Sequence, residues 1–228
     1  MEEMEVCFLM DRFGYMKLID KNAYERNKEA VHNENKYVFN CMNTDKICIF
    51  TDTGKMHTIK AVDIPLGRFR DKGTPVDNLS NYDSSQERML YVAPVGQLRS
   101  DRLLFVTKTS MCKLVEGAEF DVAKRTIAST KLADEDELIF IGSASEMEQI
   151  VLQSHGGCFL RFLAQEVSTM KKTALGVRGM KLADDDYLEH AYLLAGHQEY
   201  TISYHDKEYA LNKVRLAKRD TKGIKPRI

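Results

Sequence analysis

The sequence lacks any apolar window near the ~20 residues that a membrane-spanning helix requires. It also lacks the basic start and apolar continuation of a signal peptide, because Met1 to Glu5 carries three glutamates. Only four prolines are present, and none interrupts the short apolar runs. These absences exclude a membrane-spanning helix, and we expect a cytoplasmic protein with no membrane partner.

The patterns of common catalytic and metal sites are also missing. None of the five cysteines forms a Cys-x-x-Cys pair or a zinc spacing with the six histidines, which predicts buried free thiols. There is no Gly-x-Ser-x-Gly elbow and no His-Glu-x-x-His. His155-Gly156-Gly157 is not followed by the Lys-Ser/Thr of a phosphate loop, so it is interpreted as a turn. We expect no cofactor, no metal and no catalytic residue in this chain.

The sequence does repeat itself. Lys131–Leu138 returns fifty residues later as Lys181–Leu188, with six of eight positions identical. Both copies contain an acidic cluster, Asp134 to Glu137 and Asp184 to Asp186. Carboxylates also bind hard cations, but a recurring Asp-rich segment directly before an apolar run is more typical of a turn. A metal-dependent enzyme using Asp184 and Asp186 is therefore the weakest alternative.

A second pattern runs through most of the chain, in which a short apolar run is followed by a small turn residue and another such run. The turn positions are Gly14, Gly54, Ser110 and Gly157, at spacings of 40, 56 and 47 residues. Thr51-Asp52-Thr53-Gly54 places glycine where a tight hairpin turn needs a positive φ. A degraded fifth copy spans Tyr200 to Lys207. The chain is therefore predicted to contain five β-hairpins.

Repeats of this length, each with several strands, are typical of blades in a radial β-architecture. We predict an all-β, propeller-like disc of about five four-stranded blades in a single domain, residues 1–228. The approximate blades are 1–36, 37–87, 88–137, 138–186 and 187–228. Residues 20–36 are polar enough for either a short helix or a loop.

Charge is distributed unevenly along the chain. The net charge is −1, yet Lys207 to Ile228 has eight basic and two acidic residues, leaving −7 on residues 1–206. Basic residues also recur at similar places in the repeats, where a disc would present them on its rim. Such a ring of positive charge predicts a track for a polyanion, with these candidate DNA-binding residues: Lys17, Lys55, Arg68, Arg70, Lys72, Lys113, Lys124, Arg125, Arg161, Lys171, Lys172, Arg178, Lys218, Arg219 and Lys222. A propeller-like protein-interaction scaffold that uses the disc face is the alternative.

Over essentially its whole length the sequence resembles the C-terminal domain of the A subunits of DNA gyrase and topoisomerase IV. The resemblance is carried, in chain order, by Phe50–Lys55, Asp63–Pro65, Lys72–Leu79, Leu103–Lys108, Glu119–Asp121, Lys124–Arg125, Phe159–Phe162, Glu166–Val167 and Gly176–Leu182. It implies a β-pinwheel, a disc that bends duplex DNA around its rim to present or select a segment for strand passage. It also implies a nucleoid-associated enzyme with two further parts as partners: the N-terminal breakage-reunion region of the same subunit, and the ATPase B subunit. In this family an ATP-dependent enzyme breaks DNA with a tyrosine and magnesium in that N-terminal region, so the tyrosines here inherit no catalytic role.

One departure from the family concerns the first repeat. Gyrase A subunits carry a Gln-Arg-Arg-Gly-Gly-Lys-Gly box shortly after a tyrosine that matches Tyr24. Here Glu25-Arg26-Asn27-Lys28-Glu29-Ala30 stands in its place, and Lys218 to Gly223 is a faint relative near the end. The missing box favours topoisomerase IV, or a gyrase-like paralogue that wraps DNA weakly.

Overall fold

The computed structural model describes residues 1–228 and contains seventeen short β-strands. The strands are β1 (Glu5–Met10), β2 (Tyr15–Ile19), β3 (Tyr37–Met42), β4 (Lys46–Thr51), β5 (Lys55–Lys60), β6 (Thr74–Pro75), β7 (Met89–Pro94), β8 (Arg102–Thr107), β9 (Met111–Glu116), β10 (Thr126–Ala128), β11 (Leu138–Ser143), β12 (Gln149–Ser154), β13 (Phe159–Leu163), β14 (Val177–Arg178), β15 (Leu188–Leu194), β16 (Thr201–Tyr204) and β17 (Lys207–Ala210). The helices are α1 (Lys21–Arg26), α2 (Lys28–Glu34), α3 (Val76–Leu79) and α4 (Val95–Leu98), with 3-10 turns at Ala61–Asp63, Gly117–Phe120, Ala164–Glu166 and Leu211–Lys213. The predicted all-β class is confirmed.

The strands form five antiparallel units. Sheet A has the order β3-β1-β2-β6, sheet B β10-β5-β4-β7, sheet C β11-β8-β9-β14 and sheet D β13-β12-β15. In sheet D the fourth place is taken by a single bridge between Phe159 and Ile224. The last unit is the two-stranded terminal hairpin, β16-β17. Three of the five units are thus four-stranded, and the terminal one is only a hairpin.

Each of the first three sheets takes its two outer strands from the stretch of chain that follows its central hairpin. The sheets are therefore not built from the contiguous blade ranges predicted from the sequence. The range 37–87, for example, supplies the central hairpin of sheet B but gives β3 and β6 to sheet A. Ranges 88–137 and 138–186 do the same for the sheet before them. Both edges of each hairpin need backbone partners, and the next stretch of chain provides them. The terminal hairpin, β16-β17, pairs with no third strand. The single-domain assignment of residues 1–228 stays a prediction.

The hairpin turns are where the sequence places them. Gly14, Gly54 and Gly157 have φ values of 85°, 78° and 87°, and Ser110 has 75°. Glycine adopts this left-handed conformation without a Cβ clash, whereas serine does so at a cost. At Ser110 the side chain offsets that cost, because its buried Oγ accepts the Met180 N–H at 2.7 Å.

The core consists of apolar clusters between consecutive units. Sheets A and B share one cluster around Phe8 and Ile49, B and C another around Phe50 and Phe105, and C and D a third. A smaller cluster around Phe159 joins sheet D to the terminal hairpin. No hydrogen bond, ion pair or core cluster joins residues 1–44 with residues 195–228. The units therefore stack in series, each burying the apolar face of its neighbour.

The free face of sheet A is covered by the helix pair α1–α2, which answers the question that the sequence left open for residues 20–36. Asp20 caps α1 by accepting the Ala23 N–H at 2.7 Å. Val31 of α2 is fully buried in one cluster with Cys7 and Leu9. The helices thus take the place that a neighbouring sheet takes elsewhere in the array.

The five cysteines are free, and all except the half-buried Cys158 are buried, as the sequence predicts. Burial raises the pKa of the Cys112 thiol to about 12, which leaves it unreactive at neutral pH. No helix of the chain is long and apolar enough to cross a membrane.

Candidate nucleic-acid interface

Four stretches of chain, here called the outer segments, occupy the same place in four successive sheets. They are residues 64–75, 122–128, 167–178 and 214–224. Each lies along the second strand of the preceding hairpin, as shown by the bridges Leu18–Leu66, Leu114–Thr169 and Arg161–Leu216 and by the bond from Thr58 N–H to Arg125 O. On the opposite edge, the strands β7 and β15 of sheets B and D both contact β11 of sheet C. The outer segments therefore lie along one edge of the array, away from that line of strands.

Most predicted DNA-binding residues lie exposed on these outer segments and form what we call the basic rim: Arg68, Arg70, Lys72, Lys124, Arg125, Lys171, Arg178, Lys218 and Lys222. Lys55 is also exposed and sits on β5 directly opposite Ala128 of β10. Arg215 is an exposed rim residue outside the predicted set, and it lies on the outer segment with the strongly basic sequence. The structure thus brings together charges that are up to about 150 residues apart in sequence.

Lys113 is a correction to the predicted set. Its side chain is 1% exposed, and its Nζ donates to the carbonyl oxygens of Lys172 at 2.8 Å and Ala174 at 2.6 Å. Burial lowers the pKa of Lys113 from the ordinary 10.5 to about 8. An ammonium enclosed in this way cannot contact a phosphate, and its role is to hold the third outer segment onto sheet C.

Lys17 has the same arrangement in sheet A. Its Nζ donates to the carbonyl oxygens of Phe69 and Asp71 and lies over the Phe69 ring. In sheet D the half-buried Arg161 donates through Nε to Val214 O at 2.7 Å and through Nη1 to Gln149 at 2.7 Å. These donors are turned inward, so the structure assigns Lys17 and Arg161 to fastening the rim rather than to its outward surface.

Other basic residues link one outer segment to the next. Arg219 donates through Nε to Glu166 O at 2.9 Å and through Nη1 to Arg178 O at 2.7 Å. Arg178 in turn forms an ion pair with Asp220, which raises the pKa of the arginine and lowers that of the aspartate. Lys172 lies 3.8 Å from Glu119. Acidic partners therefore partly neutralise the charges of Arg178 and Lys172, and backbone carbonyl groups partly enclose the Arg219 guanidinium.

A buried pair that the sequence does not reveal lies beneath the second outer segment. His57, 2% exposed, occupies in β5 the position that Lys17 and Lys113 occupy in β2 and β9. Its Nε2 lies 2.8 Å from Glu87 and its Nδ1 lies 2.9 Å from the Thr126 hydroxyl. Burial of the Glu87 side chain raises its pKa, but hydrogen bonding, which includes the Asp83 N–H at 3.1 Å and His57, outweighs this and lowers the pKa overall. No local motif reports this pair, because His57, Glu87 and their hydrogen-bonded neighbour Thr126 come from three separate parts of the chain.

The repeated acidic clusters are turns, as the sequence predicts. Glu135 and Asp185 both have φ of 62°, at matching places in the two copies. Asp136 accepts the Thr109 N–H at 3.1 Å, and Asp186 accepts the Gly156 N–H at 2.8 Å. Each aspartate thus ties the acidic turn to the hairpin turn of the sheet that the following strand, β11 or β15, joins, which accounts for its recurrence.

The fold and the rim together define a β-pinwheel with a basic outer edge. The family described as "DNA gyrase C-terminal domain, beta-propeller" matches residues 45–84, 101–145 and 148–195, which is more than half of the chain. The chain belongs to this family.

Known proteins agree with this assignment. The chain is 25% identical over 236 residues to the DNA gyrase A protein of Ureaplasma parvum serovar 3, and 27% identical over 240 residues to that of Mycoplasma pneumoniae. Each alignment covers 96% of this chain and 28% of the relative, so the chain spans less than a third of their length.

Among solved structures, the fold matches the C-terminal domain of a DNA topoisomerase IV with a TM-score of 0.85 at 22% identity, over 98% of this chain and 72% of that one. It also matches the E. coli ParC C-terminal domain with a TM-score of 0.76 at 13% identity, over 98% and 94%. A DNA gyrase A C-terminal domain gives 0.63 at 18% identity, over 97% and 76%. At these identities the matches show the fold alone.

Proposed function

We propose that this chain is a non-catalytic DNA-binding and DNA-bending domain of a type IIA topoisomerase A subunit, with duplex DNA lying along the basic rim. The observation that carries this proposal is the recurrence of exposed Lys and Arg on four outer segments at equivalent places in four sheets. Ordinary solvated charge has no reason to follow the repeat. A curved row of cations matches the phosphate backbone of a bent duplex.

The rim must offset the cost of bending. A 20–30 bp duplex bent by 40–90° stores on the order of 1–6 kcal/mol of elastic energy. Lys and Arg release condensed counterions when they neutralise phosphates, so affinity falls steeply as salt rises. Such contacts position DNA without reading its bases, and we expect little sequence preference.

The bent segment would be presented to, or selected for, strand passage by the rest of the enzyme. The partners within the ATP-dependent whole would be the N-terminal breakage-reunion region of the same subunit, together with an ATPase B subunit, in the cytoplasm and close to the nucleoid. The absence of the Gln-Arg-Arg-Gly-Gly-Lys-Gly box supports a topoisomerase IV-like role or weak wrapping. In its place the chain folds into α1 and α2.

The proposal is tested by measuring the affinity of a labelled linear duplex at rising salt. Lys124→Ala, Lys171→Ala and Lys218→Ala remove rim charges on three outer segments, and Lys36→Ala removes an exposed charge that lies on none of them. Each rim variant that removes a contact to a phosphate should reduce the magnitude of the slope of log affinity against log salt by about 0.9. Lys36→Ala should leave this slope unchanged. Equal effects of rim and control variants would refute the rim as the binding surface. Salt-insensitive binding of a protein partner without DNA binding would favour the scaffold alternative.

A further inference from the structure

A cleft of about 470 Å³ separates helix α1 from the first outer segment. Its helix side includes Arg26 and Asn27 at the end of α1, and its rim side includes Arg68 and Arg70. All three arginines are exposed. Two stretches of chain that are some forty residues apart thus contribute arginines to the lining of one cleft.

The two walls of the cleft are held in fixed positions. Phe69, between the two rim arginines, is buried in the same cluster as Ala23 of α1. Lys17 holds the backbone on both sides of Arg70 from beneath, through the carbonyl oxygens of Phe69 and Asp71. On the helix side, Asn27 Nδ2 closes the last turn of α1 by donating to Ala23 O at 2.8 Å. The spacing of the arginines is therefore built into the fold.

The acidic residues of the cleft are already engaged. Asp71 accepts the Arg68 N–H at 2.8 Å and pairs with the Arg68 guanidinium at 3.3 Å. Asp20 accepts the Ala23 N–H as the cap of α1. The side chains of Arg26 and Arg70 form no ion pair and no hydrogen bond within the chain. Two arginines whose side chains have no partner within the chain thus line one cleft.

We propose that this cleft binds a phosphate group of the DNA backbone, with Arg26 and Arg70 as its principal donors. A guanidinium suits this ligand because its planar fork binds phosphate oxygens bidentately. The one aromatic side chain of the cleft, Phe69, is buried and cannot stack on a base. The site extends the DNA track from the outer segments onto the helix pair, and it rests on the proposed function.

The test compares Arg26→Ala with Lys28→Ala, an exposed cation two residues further on that does not line the cleft. Alanine is the best helix former, so α1 should remain folded in the first variant. We measure the affinity of a labelled linear duplex for the whole chain between 50 and 200 mM salt. Removing one phosphate contact should reduce the magnitude of the slope of log affinity against log salt by about 0.9. Between 50 and 200 mM salt, the variant should therefore lose about three- to fourfold less affinity than the unaltered chain.

Arg70→Ala and the double variant complete the design. If both arginines bind the same phosphate, the double variant should lose less affinity than the product of the two single losses. An Arg26→Ala variant that matches Lys28→Ala, while the outer-segment variants still weaken binding, would overturn the cleft and leave the rim standing. Absence of DNA binding by the unaltered chain at low salt would overturn the proposed function, and the cleft with it.

Discussion

Replacing Lys113 with methionine tests whether this lysine has a structural role, as its burial indicates, or contacts DNA. The side chain is buried and its Nζ holds the carbonyl oxygens of Lys172 and Ala174. Methionine fills a similar volume but donates no hydrogen bond. Leaving these acceptors without a partner costs about 1–3 kcal/mol. Removing a buried charge returns a comparable amount, so we expect similar free energies of unfolding for both proteins at pH 7.

A difference in the free energy of unfolding between the unaltered chain and Lys113→Met should emerge as the pH rises. The pKa of Lys113 is about 8 in the folded chain and the ordinary 10.5 in the unfolded chain. Between these values the unfolded chain binds the additional proton, so the free energy of unfolding rises with pH. A separation of this size corresponds to about 3 kcal/mol. This stability is present above pH 10.5, is lost as the pH falls through 8, and is absent from the methionine variant.

The assay is urea unfolding followed by circular dichroism at several pH values between about 7.5 and 10, the range spanned by the two protonation states of Lys113. The other lysines and the tyrosines titrate in both proteins, so the difference between the two isolates Lys113. We expect the unaltered chain to become progressively more stable than Lys113→Met across this range. A difference that stays constant with pH would refute the reasoning. As a second readout, Lys113→Met should leave the salt slope of DNA binding unchanged, unlike the rim variants.

Three further substitutions test other features. Asp220→Asn releases Arg178 from its ion pair, and we expect tighter DNA binding with a steeper salt slope; weaker or unchanged binding would contradict a rim role for Arg178. Gly117→Ala would place a Cβ only 2.0 Å from Leu98 O and should destabilise the chain by about 3 kcal/mol or more in urea unfolding. Gly96→Ala is its control, since the added Cβ would meet only the Asp45 side chain, and equal losses would argue against the clash. Val31→Asp buries a carboxylate under α2 and should speed hydrogen exchange in both helices, whereas the exposed Glu29→Gln should not.

Local features of the fold were accessible from the sequence. The turn positions at Gly14, Gly54, Ser110 and Gly157 all have positive φ. The fifty-residue offset between the two acidic copies corresponds to two equivalent turns, at Glu135 and Asp185. In each case a short-range conformational need, a tight turn or a side chain bonded to a nearby backbone, leaves a mark on the local sequence.

The strand exchange and the environment of individual lysines could not be predicted in this way. Lys17 and Lys113 lie three residues past their turns and hold the backbone of a segment that returns some fifty to sixty residues later, whereas Lys55 lies only one residue past its turn. Lys55 stays exposed. Which face such a segment covers depends on long-range pairing, and the alternation of a strand does not specify it. The same reason hides the His57–Glu87 pair and the cleft at Arg26.

The most direct test of the proposed function is the end-to-end distance of a short duplex on the rim. A duplex of about 30 bp, well below the ~150 bp persistence length, is effectively straight when free. With a fluorescent donor and acceptor at its ends, energy transfer should rise when the chain binds at low salt, and the rise should disappear when Lys124, Lys171 and Lys218 are changed together to alanine. Binding without any rise in transfer, or a rise that survives in the triple variant, would contradict bending of DNA around the basic rim.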